Sequence, residues 1–121
     1  MEGRNTMDDN NKKMYLLNVL NGKWRVLIIE DLFTGKKQFS EIHQDIKGIS
    51  KKVLADNLQY LVRSGIIDKH SYPVFPPKAV YKLSDRGMNI KPILDDIYRW
   101  GIENYTPFAE ETTDGFYNIF Q

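Results

Sequence analysis

Side chains able to contact nucleic-acid phosphates and base edges are concentrated in residues 50–63. This segment has the period of a helix, because Leu54, Leu58 and Leu61 follow at i, i+4 and i+7 and would share one buried face. The outward-facing positions are then Lys51, Lys52, Ala55, Asp56, Gln59 and Arg63. Lysine binds phosphate or the guanine edge, and a glutamine amide pairs with adenine. These residue types predict a helix that contacts nucleic acid; a surface helix with ordinary solvated charges is the alternative.

Ser50 and Asp56 each have two possible roles in this helix. Ser50 is a candidate N-cap, since a serine oxygen at that position accepts a hydrogen bond from a free backbone amide. It is also predicted to contact DNA. Asp56 would be repelled by phosphates, so it either pairs with Lys52 four residues earlier or accepts from a cytosine amino group.

A shorter helix is expected immediately before this one. Phe39, Ile42 and Ile46 share one face, and Lys47-Gly48 ends the pattern. Two helices joined by so tight a turn predict a helix-turn-helix, with a recognition helix at about residues 50–64 in the major groove. Phosphate contacts are predicted for polar residues at the start of the shorter helix and in the turn before it: Lys36, Lys37 and Ser40.

A β-hairpin is predicted after the recognition helix. Residues 66–72 and 78–83 are short runs rich in strand-forming residues, and the loop between them contains three prolines. Proline excludes a central strand and favours a stiff, exposed loop. The hairpin therefore resembles the wing of a winged helix-turn-helix, at about residues 67–83, with Lys69 and Lys78 on the DNA backbone or in the minor groove. The predicted fold class is α+β and mostly α.

Helical patterns also flank this unit, over residues 11–20 and from Ser84 to Gly101. Pro92 must either kink the last helix or lie in its first turn, with Asn89 as a later cap. The apolar residues of the last helix cover more than one face, which is more than a monomer of this size easily buries. We therefore predict a homodimer whose interface contains Tyr15, Leu16, Val19, Ile93, Leu94, Ile97 and Trp100.

The composition of the 121 residues is that of one globular domain, with 41% hydrophobic and 27% charged residues and a net charge of +1. Charge is distributed unevenly: residues 22–82 contain 11 Lys/Arg and 6 Asp/Glu, whereas acidic residues predominate elsewhere. A basic middle suits double-stranded DNA as the partner. The polar N-terminus has no signal-peptide pattern, and no apolar run is long enough for a membrane span. A cytoplasmic protein without membrane contact is expected.

Catalysis, cofactors and metal sites are not indicated. His43 and His70 are the only histidines, and neither has the spacing of a metal ligand to a second candidate. No glycine-rich phosphate loop is present. The absence of cysteine excludes disulfides, thiol-based sensing and cysteine-ligated zinc.

An ordered set of short motifs resembles the HxlR-type branch of MarR-like winged helix-turn-helix regulators. It comprises Gly22-Lys23-Trp24, Phe39-x-x-Ile42, Gly48-Ile49-Ser50, Leu58-x-x-Leu61, Gly65-Ile66, Pro76-Pro77-Lys78, Leu83-Ser84-x-x-Gly87 and Trp100-Gly101. The resemblance implies a transcriptional regulator, acting as repressor or activator, that binds a palindromic operator as a homodimer joined through its terminal helices. It covers a predicted domain at residues 11–105, between a disordered tail at 1–10 and a C-terminal tail at 106–121. Some relatives carry a redox-sensing cysteine before the first helix, which this chain lacks.

Two alternatives remain open at this level. The winged helix could serve protein–protein contact without DNA binding, a difference that the salt dependence of binding would reveal. A small-molecule effector is also possible, since Tyr15, Trp24, Tyr98 and Trp100 could line a cavity, although such residues are more often core.

Overall fold

The computed structural model describes residues 6–107, with side chains from residue 8 onwards. The helices are α1 (Thr6–Val19), α2 (Gly22–Asp31), α3 (Phe39–Asp45), α4 (Lys51–Arg63), α5 (Asp85–Met88) and α6 (Lys91–Asn104), and a 3₁₀ turn (Leu32–Thr34) follows α2. The strands are β1 (Lys37–Gln38), β2 (Ile67–Tyr72) and β3 (Lys78–Leu83). The chain divides after Met88 into two compact units, and α6 belongs to the second.

Helix, turn, helix and hairpin occur in the predicted order, which confirms the winged helix-turn-helix and the α+β class. The leucines of α4 are buried, as their spacing predicted: Leu54 and Leu61 are 0% exposed and Leu58 is 1% exposed. They share the core of the first unit with Ile28 of α2 and Ile42 of α3, which are also fully buried. The buried face of α4 thereby determines which face remains for solvent.

The wing belongs to a three-stranded antiparallel sheet with strand order β1-β3-β2. In the hairpin Ile67 pairs with Leu83 and Tyr72 with Lys78, so the strands are in register along their whole length. The sequence analysis missed β1, which is two residues long and pairs with β3 through Lys37 opposite Tyr81. Two residues are too few for any periodicity, so only pairing identifies this strand.

A tight junction joins the end of α4 to α5. Gly65 has φ +78, a conformation that suits glycine at the end of a helix. The Ser84 hydroxyl donates to the Gly65 carbonyl (2.6 Å) and accepts from the Gly87 amide (3.1 Å), which caps α5. Gly87 lies so close to Ile66 that a Cβ would be 2.3 Å from the Ile66 carbonyl oxygen. The motif Leu83-Ser84-x-x-Gly87 is therefore a packing requirement of this junction.

The structure corrects the sequence analysis at both ends of the chain. α1 begins at Thr6, so residues 6–10 are helical and do not belong to a disordered tail at 1–10. The final helical segment is two helices, because α5 ends at Met88 and α6 starts at Lys91. Pro92 lies in the first turn of α6, where its missing amide costs little, and the residue before the helix is Ile90 rather than Asn89.

The remaining parts of both predicted tails, residues 1–5 and 108–121, lie outside the described residues. Within the described range, no helix combines the length and the apolar character needed to cross a membrane.

Candidate nucleic-acid interface

The polar face of α4 is free for contact. All the residues predicted to face outwards are exposed, namely Lys51, Lys52, Ala55, Asp56, Gln59 and Arg63. The helix begins at a true N-cap, since Ser50 Oγ accepts from the Val53 amide at 3.1 Å. That hydrogen bond orients the first turn and places Lys51 and Lys52 at the end of the helix that would enter a groove.

Asp56 forms an ion pair within α4. Lys52 Nζ donates to Asp56 Oδ2 at 3.0 Å, and both side chains are more than half exposed, at 83% and 61%. The sequence had offered two partners for Asp56, Lys52 or a cytosine amino group, and the structure shows the pairing with Lys52. An exposed pair of this kind is worth less than about 1 kcal/mol, so the approach of a phosphate or base can break it.

Changing Asp56 to alanine is expected to strengthen the binding of duplex DNA by about two- to tenfold, because the change removes a charge that phosphates repel and releases Lys52. Fluorescence anisotropy with labelled duplexes measures the effect. Lys52→Ala and the double variant complete a mutant cycle, and the benefit of Asp56→Ala should shrink once Lys52 is absent.

The opposite result would identify Asp56 as a base contact. If Asp56→Ala weakens binding only to duplexes with one particular cytosine, Asp56 accepts from that cytosine's amino group. In the same assay Lys52→Ala shows whether Lys52 contacts a phosphate or a base. Equal losses on specific and random duplexes indicate a phosphate contact, an altered base preference indicates a base contact, and no change removes Lys52 from the interface.

The wing borders the polar face of α4. An open groove of about 420 Å³ is lined by Ala55, Gln59, Val62, Arg63, Lys69 and Tyr81. Lys69 Nζ lies 5.8 Å from the centre of the Tyr81 ring, which holds its cationic head over the wing strand. Lys69 therefore belongs to the same surface as the predicted base-reading residues, although 10 positions of the chain separate it from Gln59.

The other side of the wing carries a second group of predicted phosphate contacts. Lys36 and Lys78 both line an open groove of about 390 Å³, which also contains Gln38, Glu41, Tyr72 and Val74. Both lysines are exposed, as is Ser40 in the first turn of α3. The fold thus brings Lys36 next to the wing, which the sequence alone did not indicate.

Lys37 is not a free phosphate contact, which corrects the sequence analysis. Its Nζ donates to Asp31 Oδ1 at 2.8 Å and to Asp45 Oδ2 at 2.6 Å, and its side chain is only 19% exposed. The ammonium joins the end of α2 to the end of α3. Two carboxylates already neutralise it, so a phosphate would have to displace them.

The electrostatics of this cluster agree with a structural role. Hydrogen bonds to Asp31 and Asp45 raise the pKa of Lys37, and the hydrogen bond from Lys37 lowers the pKa of Asp45. Burial raises the pKa of Asp31, against the opposing hydrogen bond from Lys37. Lys37 therefore stays charged at neutral pH while its charge is used inside the protein.

Arg25 orients the recognition helix, and the sequence analysis missed it. Its Nε donates to Asn57 Oδ1 at 3.0 Å, and its guanidinium lies 3.7 Å from the centre of the Tyr60 ring. A second donor, Nη1, bonds the carbonyl of Asn18 in α1. Arg25 thus links α1, α2 and α4. The available signal was an arginine directly before the aliphatic run Val26-Leu27-Ile28-Ile29.

The residues predicted for a dimer interface fall into two groups. Val19 and Leu94 are 3% and 2% exposed within one chain, so they are core residues with no area left for a partner, contrary to the sequence analysis. The remaining residues are exposed on their helices: Tyr15, Leu16, Ile93, Ile97 and Trp100. Tyr15 also donates from its hydroxyl to the carbonyl of Ser64 at the end of α4 (2.9 Å).

Both histidines have structural contacts. His43 Nε2 lies 3.0 Å from the Ile49 carbonyl, and His70 packs edge-on against Tyr72 with ring centres 4.5 Å apart. Among the described residues, no group of three or more His, Asp or Glu side chains is arranged to hold a metal ion.

Comparison with known proteins gives consistent results. A family model described as HxlR-like helix-turn-helix matches residues 19–109. An HTH-type transcriptional regulator of Methanothermobacter thermautotrophicus is 39% identical over 85 residues, and the match covers 70% of this chain but less than two thirds, 65%, of that protein. YkvN of Bacillus subtilis, another HTH-type transcriptional regulator, is 36% identical over 104 residues, which cover 85% of each protein. The reduced form of the B. subtilis transcriptional regulator YodB has a TM-score of 0.70 at 30% identity, covering 82% of this chain and 93% of YodB.

Proposed function

Because the chain belongs to the HxlR-like helix-turn-helix family, we propose that it binds a palindromic operator as a homodimer, with α4 of each protomer in a major groove. The wing of each protomer then lies on the adjacent backbone or in the minor groove. The chain is a DNA-binding regulator of transcription, as its relatives are HTH-type transcriptional regulators. The dimer, the operator symmetry and the contact residues are the parts that we propose.

One observation carries the assignment of the DNA-contacting surface. The polar face of α4 is exposed along its whole length and shares a groove with wing residues Lys69 and Tyr81. If α4 enters the major groove of DNA, the protein groove between α4 and the wing would face the DNA backbone. Lys51 and Lys52 supply charge at the leading end, Gln59 and Arg63 supply donors to base edges, and Lys69 supplies charge from the wing.

Exposed apolar side chains support a second copy of the chain as the protein partner. On α1, Leu16 and Leu17 are 52% and 61% exposed. On α6, Ile93, Ile97 and Trp100 are 51%, 48% and 69% exposed. Exposed apolar side chains on each of these helices favour association, and a symmetric dimer would present two recognition helices to two half-sites.

Salt tests the proposal directly, with a duplex selected by this protein from a random pool as the probe. If about four cations of each protomer contact phosphates, log K should fall with log salt at a slope of about −7, and affinity should drop by about 10⁴ between roughly 50 and 200 mM. Anisotropy titrations at several salt concentrations measure the slope. Failure to select any duplex, or a slope near zero, would instead indicate a winged helix used for protein contact.

None of the 121 residues is a cysteine, so none of them can act as a thiol switch. Two of the aromatic residues considered for an effector cavity have contacts within the first unit. Tyr15 bonds Ser64, and the Trp24 ring lies 4.5 Å from Lys23 Nζ. These contacts support structural roles for both residues.

A further inference from the structure

The tip of the wing exposes a phenylalanine. Phe75 is 96% exposed, more than any other large hydrophobic side chain that the structure describes, and the neighbouring Val74 is 53% exposed. A phenyl ring in water gains free energy whenever it is buried. An aromatic side chain so fully exposed at the end of a projecting hairpin is therefore a candidate contact residue.

The tip is held stiffly. Pro73, Pro76 and Pro77 flank Val74 and Phe75, and proline fixes φ of its own residue while restricting the residue before it. The Val74 amide also donates to the Tyr72 carbonyl at 2.9 Å, which closes the turn. Because little backbone freedom remains to be lost, inserting this tip into a partner costs little conformational entropy.

The net positive charge of the wing favours an anionic partner. The wing, residues 67–83, contains Lys69, Lys78 and Lys82 and a single carboxylate, Asp68 at its base. All three lysines are exposed. A stiff apolar tip on an arm of net positive charge matches the chemistry of a polyanion that offers an apolar slot, and stacked base pairs between phosphate backbones have that chemistry.

We propose that Phe75 is a wedge that the wing inserts into the minor groove, where it partly unstacks one base step and bends the DNA. This inference rests on the proposed operator binding, and it adds a residue that selects DNA by deformability. Pyrimidine–purine steps unstack most easily, so they are the preferred sequence beneath the wing. Specificity there depends on shape, since a phenyl ring makes no hydrogen bonds to base edges.

The test uses the full chain and a duplex of about 30 base pairs selected from a random pool. In one duplex series 2-aminopurine replaces successive adenines, because its fluorescence rises on unstacking; in another, donor and acceptor dyes at the two ends report bending. The native chain should raise the fluorescence at one step in each half-site and bring the ends closer. Phe75→Ala should abolish both signals and weaken binding by about tenfold.

Two variants separate the wedge from other roles of the tip. Phe75→Leu keeps an apolar wedge and should retain most of the unstacking, while Val74→Ala removes the neighbouring apolar side chain and should leave it unchanged. The inference is overturned if Phe75→Ala unstacks and bends DNA as the native chain does. Loss of binding to phosphatidylglycerol vesicles in Phe75→Ala, with DNA signals unchanged, would overturn it in favour of a membrane.

Failure of the wedge is distinguishable from failure of the operator proposal. If the native chain selects no duplex at all, both fail together. If the native chain binds with the expected salt slope but without unstacking, only the wedge fails. The DNA-contacting face of α4 contains none of the wing-tip residues, so a change at Phe75 leaves that part of the interface intact.

Discussion

Changing Trp100 to glutamate is expected to convert the proposed homodimer into monomers and to lower affinity for the proposed operator by about a hundredfold or more. Trp100 is 69% exposed on α6 of a single chain, so the substitution does not remove a core contact of the protomer. A buried aromatic residue at an interface contributes about 2 kcal/mol or more, and two-fold symmetry counts it twice, which raises the dimer Kd by about three orders of magnitude. Multi-angle light scattering across a concentration series measures the mass, and anisotropy measures operator binding.

Arg99→Glu is the matched control for this prediction. Arg99 lies on the polar side of the same helix, where it pairs with Asp96 at 2.9 Å, and its side chain is 62% exposed. The control adds the same glutamate but should leave the mass of the proposed dimer unchanged, since an exposed ion pair contributes little. Circular dichroism of both variants checks that each is folded. A native chain that is monomeric at micromolar concentration, or a dimeric Trp100→Glu, would refute the proposed interface.

Changing Gly87 to alanine is expected to destabilise the protein by about 2–4 kcal/mol and to lower Tm by roughly 10 °C or more. The new methyl group would lie 2.3 Å from the Ile66 carbonyl oxygen and 3.0 Å from Cδ2 of Leu83. Neither neighbour can yield easily. The Ile66 carbonyl accepts from the Ser84 amide at 3.0 Å, and Leu83 is only 7% exposed. Urea and thermal unfolding measure the loss.

Gly101→Ala provides the control because nothing lies within 4 Å of a Cβ placed there. In the interior of α6 alanine is a better helix former than glycine, so stability should be unchanged or raised by up to about 1 kcal/mol. If Gly87→Ala unfolds at the same urea concentration as the native chain, the close approach between α5 and Ile66 is not a constraint on this fold.

Local pattern was sufficient for the elements that form the proposed DNA-contacting surface. The spacing of Leu54, Leu58 and Leu61 identified the buried face of α4, because helical periodicity is a property of neighbouring residues. Ser50 was identified as a cap for the same reason. The pairing of Lys52 with Asp56 was one of two alternatives, and both partners lie within a single helical turn. The identity of the family followed from the order of such local motifs.

Contacts outside the periodicity of one helix or strand were inaccessible to the same reasoning. Lys37 looked like a phosphate contact, but Asp31 and Asp45, which neutralise it, lie six and eight residues away in α2 and α3. Arg25 was not singled out from the sequence, because its partners Asn57 and Tyr60 lie more than 30 residues later in the chain. Val19 and Leu94 looked like interface residues because the sequence does not show whether an apolar residue is buried by its own chain or by a partner.

By itself the sequence determined the winged helix-turn-helix, the polar face of α4 and the lack of cysteine among these 121 residues. Each depends on residue type or on spacing within a few turns of chain. Only the tertiary structure decided which cations remain free, which apolar side chains remain exposed, and that Lys69 shares a groove with Gln59 and Arg63. Those properties depend on which distant segments come into contact. Such contacts are determined by how the buried faces of all the elements pack together.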